Sequence, residues 1–131
     1  MEFDLNQTDE LLATTRAVRK RLDFDRAVPR DVIEECIGLS QQAPTGTNSQ
    51  GWRWLIIEDA EKRAGLAELY KKMADIYLAE EGRKAAESGD AQTARVLESA
   101  VFLAENLQNA PVHVIPCLQG RPPEGTPLMG I

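Results

Sequence analysis

The stretch from Ala43 to Trp54, APTGTNSQGWRW, limits what this chain can fold into more than any other. It separates a segment of helical periodicity from an apolar run that reads as a strand. Pro44 stops the preceding helix, because it lacks an N–H and crowds the turn before it. From Pro44 to Gly51 every residue is turn-forming or carries an amide or hydroxyl, and none is charged. Gly46 and Gly51 allow positive φ and close approach of a planar ligand to the backbone. The amides and hydroxyls offer donors and acceptors to a neutral polar partner, such as the edge of a heteroaromatic ring. The same composition also makes an ordinary helix-to-strand loop. A chain built across this junction must layer helix against sheet.

The rest of the chain supplies those layers. Thr8 reads as an N-cap, with Asp9 and Glu10 in the first turn of a short helix. Pro29 sits where a first helical position belongs. Val32, Ile33, Cys36, Ile37 and Ser40 follow at helical spacing, giving an amphipathic helix over about 29–43. Residues 52–57, WRWLII, form a strand whose continuous apolar character predicts burial on both faces. A long helix begins near Ala60 with the stripe Leu66, Leu69, Met73, Ile76 and Tyr77. A break is expected at Ser88-Gly89-Asp90, with Asp90 capping a further helix along Ala94, Leu97, Val101, Ala104 and Leu107. That helix ends near Asn109-Ala110. Pro111 precedes a second buried strand over 112–118. The order is α-α-β-α-α-β, an α+β layered arrangement.

Charge and composition narrow the function. The net charge is −6, so no global basic field exists to hold nucleic acid. No apolar run approaches the roughly 20 residues that span a bilayer. The acidic start MEFDLNQTDE lacks the regions of a signal peptide, and a soluble cytoplasmic protein is expected. Cys36 and Cys117 lack C-x-x-C spacing and read as small buried apolar residues. The single histidine, His113, lies in a strand and reads as a packed residue. No metal motif occurs. Asp23, Asp25, Glu58 and Asp59 read as solvated surface.

Against this acidic background one cluster is basic. Arg16, Arg19, Lys20 and Arg21 lie within TRAVRKR. Such a cluster is commonly a solvated face. It also fits an anion site, where guanidinium forks match phosphate.

Taken together, TTRAVRKRLDFDRAVP, a dozen helical residues, and QQAPTGTNSQGWRWLIIED resemble the opening of the FMN-dependent nitroreductase family. That family pairs an Arg-Ser-x-Arg-like phosphate motif and a Val-Pro helix start with Ala-Pro-Ser-x-x-Asn-x-Gln-Pro-Trp and a strand. AENLQNAPVHVIPC resembles its next helix and central strand, so the likeness runs from about residue 8 to 120. It implies an α+β nitroreductase-like sandwich and an intertwined homodimer with FMN sites at the subunit interface. Arg16 and Arg19 match positions that bind the FMN phosphate and the polar flank of the ring. Ala17 replaces the usual serine, leaving only its backbone to serve. Thr15 stands where many members have a further arginine. Pro44, Thr45, Gly46 and Asn48 match the loop that reaches the flavin from the other subunit. Gln50 and Trp52 match positions that hold that loop, and Gly51 replaces the usual proline.

The activity implied is ping-pong transfer of hydride from NAD(P)H to FMN, and then to a nitroaromatic, quinone or similar acceptor. No side-chain nucleophile or general base is required. Two other readings remain open. One is a different flavin enzyme on the same scaffold, degrading reduced flavin or reductively dehalogenating an aromatic. The other is a non-catalytic dimerisation or binding domain. Family members are longer than this chain, and two strands make a poor sheet alone. A single domain over 1–131 is therefore expected, stopping before the last strands and helix, with a flexible Pro/Gly-rich tail over 120–131.

Overall fold

The computed structural model describes residues 4–121. Four helices and a small antiparallel sheet follow the expected order. They are α1 (Leu5–Thr14), α2 (Arg30–Ser40), β1 (Trp52–Ile57), α3 (Ala60–Ser88), α4 (Ala91–Asn106) and β2 (His113–Leu118). Short 3-10 turns at Gly46–Asn48 and Leu107–Asn109 precede the two strands. The architecture is α+β. The part of the expected tail beyond Arg121 lies outside the described residues.

Helix ends follow local chemistry. The cap of α1 is Asp4, one turn before the expected Thr8. The Asp4 carboxylate accepts from Gln7 N at 3.1 Å, and the Thr8 hydroxyl donates back to Asp4 O at 2.9 Å. Pro29 is the N-cap of α2 rather than its first residue. The helix stops at Ser40, short of the expected 43, in a tightened turn in which Gln42 and Ala43 donate to Leu39 O and Ser40 O. Asp59 caps α3 through Lys62 N at 2.9 Å.

The break at 88–90 falls where the sequence places it. Gly89 takes φ 68°, a left-handed cap that costs glycine least. Asp90 then caps α4, accepting from Gln92 N, Thr93 N and the Thr93 hydroxyl. These bonds, first the Thr93 hydroxyl and then the backbone amides, hold the Asp90 carboxyl below the usual carboxylate range. A depressed folded-state pKa gives stability that is present above the ordinary carboxylate value and lost as pH falls through the folded one. Thermal melts followed from about pH 5 to about pH 2 should therefore fall less steeply for Asp90→Asn, which keeps the cap, than for wild type. Equal slopes would show that this carboxylate does not govern the acid limb.

The two strands pair Trp52 with Leu118 and Ile57 with His113. One further rung joins Gln119 N to Gly51 O at 2.8 Å. This register makes Trp54 and Pro116 a pair without mutual ladder bonds. The missing donor of Pro116 therefore faces outward, where a strand tolerates it. Helix α2 lies over one sheet face, enclosing a groove with Trp54 and Val114. Leu22, α3 and the Leu107 turn lie over the other, against His113 and Ile115. Both faces thus meet helix, but no strand residue is fully buried. Trp52, Trp54, Ile56 and Ile57 on β1 and His113, Ile115 and Cys117 on β2 are half-buried and the other strand residues exposed, so each face is only partly covered, which corrects the expectation of two buried faces. Each strand has one neighbour only, so among the described residues both are edge strands.

The same openness holds elsewhere. Among the described residues the buried apolar core is Ile33, Ala67, Ala85 and Ala104. Helix α3 packs on α4 through small residues. Of its expected stripe only Leu66 is half-buried. Leu69, Met73, Ile76 and Tyr77 form a separate face that is 60–70% exposed. Leu5, Leu11 and Leu12 on α1 are equally bare, and Cys36 is exposed rather than buried. The chain presents 10869 Å², against roughly 6,900 Å² for a compact monomer of this length.

Candidate functional site

Two segments carry the candidate residues. The first is the irregular arm after α1. Arg16 folds back over the end of α1, its Nη1 donating to Ala13 O at 2.9 Å and Thr15 O at 2.7 Å. A cation there complements the helix C-terminus and leaves the remaining guanidinium donors free. Ala17 follows, exposed. Arg19 is half-buried, and its Nη1 donates to Ser99 Oγ on α4 at 3.3 Å. Lys20 pairs with Glu98 at 2.6 Å and holds that carboxyl below the usual carboxylate range. Phe24 stacks on Phe102 with ring centroids 6.4 Å apart.

The second segment is the loop between α2 and β1. Its backbone is more unusual than its composition suggested. Gly46 does not take positive φ, and Gly51 does not either. Thr47 (54°), Asn48 (54°) and Gln50 (45°) do instead. Non-glycine residues in this region cost of order 1–3 kcal/mol each, and such strain gathers at ligand clamps. Asn is tolerant of it, whereas β-branched Thr is not. The loop holds this shape through its own side chains. Thr45 Oγ1 accepts from Gln50 N at 3.1 Å, and Asn48 Oδ1 accepts from Gln50 Nε2 at 3.1 Å. Thr47 donates to Gly46 O at 2.7 Å. Asn48 N and Ser49 N close the turn onto Thr45 O and Gly46 O.

Beside the loop is an open cleft of about 460 Å³ lined by Gln41, Gln42, Gln50, Trp52 and Arg53. Gln41, Gln42 and Arg53 were not singled out from sequence. The signal for the two glutamines was their place directly before the loop; nothing local marked Arg53. Arg53 is steadied by Trp52 O at 2.7 Å and Gln119 Oε1 at 2.9 Å. The walls thus present amide donors, amide acceptors and one guanidinium.

The structure groups Arg16, Ala17 and Arg19 in one arm, and Pro44, Thr45, Gly46 and Asn48 in one loop. It does not join the two. Among the described residues no hydrogen bond or ion pair links arm to loop. His113 is a packed residue, as expected, with Nε2 donating to Leu107 O at 2.8 Å. No group of three or more His, Cys, Asp or Glu that could hold a metal occurs among the described residues. No helix among them is long and apolar enough to cross a membrane.

Residues 12–127 match the sequence model of the Nitroreductase family, and the chain belongs to that family. The family is one of flavin oxidoreductases. No curated protein matches the chain with significance.

Proposed function

We propose that this protein is an FMN-dependent oxidoreductase that takes electrons from NADH or NADPH and passes them to a nitroaromatic, quinone or similar acceptor. The observation that carries the reading is that the family match spans both the arm and the loop. Their chemistry suits the cofactor. Arg16 and Arg19 keep free guanidinium donors for a phosphate dianion. Thr45, Gly46 and Asn48 supply uncharged donors and acceptors for the polar edge of the ring, and Pro44 fixes where the loop leaves α2. When bound, FMN supplies the hydride-accepting and electron-donating centre. The chain's part is to hold the phosphate, orient the ring and exclude water.

The site is completed by a second copy of the chain, arm from one and loop from the other. Two features support this. Among the described residues, arm and loop share no bond within one chain. The uncovered apolar faces of α1 and α3 are also of the kind that homodimers bury, at 2,000 Å² or more in obligate cases. Titration of the purified chain with FMN, followed by flavin fluorescence with sedimentation alongside, should show saturation at one FMN per subunit of a dimer. A folded, soluble chain with no saturable binding would overturn the reading.

A further inference from the structure

The arm that carries Arg16 and Arg19 has no secondary structure of its own between Thr15 and Pro29, yet its middle is fixed. Three side-chain contacts hold it to α4, and Leu22 lies beside Leu66 and Ile115. Arg19 meets Ser99, Lys20 meets Glu98, and Phe24 meets Phe102. The contact residues 98, 99 and 102 lie within about one turn of α4, so the arm is splinted along a single helix face.

The three contacts differ in what they do to charge. Glu98 neutralises Lys20, and that exposed pair adds little stability. Ser99 is neutral. Its hydroxyl donates to Val96 O at 2.7 Å, which orients its lone pairs outward as a fixed acceptor for Arg19. Arg19 is therefore oriented without being neutralised. The Phe24–Phe102 stack closes the arm one turn further on.

We infer that Ser99 and Phe102 on α4 are positioning residues for phosphate binding, presenting Arg19 as the charge-bearing contact while Glu98 removes Lys20 from competition. The inference rests on the FMN reading above, and extends it to a helix some eighty residues away in sequence. Holding a guanidinium in one orientation before the anion arrives removes part of the ordering cost of binding.

The test compares FMN with riboflavin, which lacks the phosphate, across Ser99→Ala, Ser99→Thr and Phe102→Leu, with trypsin cleavage at Arg19, Lys20 and Arg21 measured in the absence of ligand. Ser99→Ala, by the loss of about one hydrogen bond, and Phe102→Leu, by the loss of an aromatic stack, should each weaken FMN roughly fivefold, with riboflavin affinity unchanged. Both should be cut faster in the arm. Ser99→Thr, which keeps a backbone-bonded hydroxyl, should restore wild-type values. A merely structural role would lower affinity for both flavins alike, and that result would overturn the inference. Unchanged cleavage and unchanged FMN affinity in both variants would overturn it as well. Wild-type protein that binds both flavins equally would instead remove the phosphate assignment itself, and the inference with it. If Phe102→Leu fails to fold, Ser99→Ala, a half-exposed surface change, carries the test.

Discussion

Replacing Arg16 and Arg19 together with alanine should weaken FMN binding by about a hundredfold or more, and leave riboflavin binding within a few fold of wild type. A hydrogen bond from a charged donor contributes roughly 1.5–3 kcal/mol, and two such contacts to a phosphate dianion set the scale. The two residues should not be equal. Arg16 is exposed and already donates to the carbonyls of Ala13 and Thr15. Arg19 is half-buried and held by a neutral partner. Arg19→Ala alone should therefore cost more than Arg16→Ala alone. The folding cost of the double change should be small, because neither residue is paired with a carboxylate among the described residues. Wild-type binding should also weaken as salt rises, since the contact is ionic. Isothermal titration with both flavins, at two salt concentrations, decides the matter. FMN affinity that survives the double substitution would place the phosphate elsewhere.

The parts of the fold that the sequence showed are those set by short-range chemistry. Gly89-Asp90 splits α3 from α4 because a left-handed cap and a carboxylate N-cap are specified by two adjacent residues. Pro111 and the apolar runs placed both strands. The arm and the loop were legible as motifs because each is contiguous. What was not legible depends on partners far away in sequence. Ser99 and Glu98 carry no local sign that they meet Arg19 and Lys20 across about eighty residues. The stripe Leu69, Met73, Ile76 and Tyr77 was recognised as apolar, but periodicity cannot say what covers it. On this chain α4 sits instead against the neighbouring small-residue face at Ala67 and Ala85. The loop shows a third kind of failure. Gly46 and Gly51 were the residues free to adopt unusual backbone, yet Thr47, Asn48 and Gln50 adopt it. Side-chain bonds from Thr45 and Asn48 to Gln50 hold that shape, and propensity does not register them.

Arg63→Ala should destabilise the protein by about 2–3 kcal/mol, the largest single effect expected on folding rather than binding. Arg63 lies in the first turn of α3, and its guanidinium reaches three carbonyl oxygens at one junction. Nε donates to Glu58 O at 3.2 Å, where β1 ends. Nη1 donates to Gln108 O at 2.9 Å and to Ala110 O, where the chain leaves the Leu107 turn for β2. The same junction is held by Asp59 at the start of α3 and by His113 on Leu107 O. Removing the guanidinium leaves these carbonyls without their charged donor, in a chain whose apolar core is too small to compensate. The effect should reach the candidate site, because β1 begins directly after the strained loop and shares its register with β2. Lysine, a single point of charge, cannot fork to three acceptors, so Arg63→Lys should recover only part of the loss. Urea unfolding with an unchanged m-value and a lowered midpoint is the expected result. A midpoint equal to wild type would show that the strand ends are held by the ladder alone, and that the guanidinium rests on the junction without fixing it.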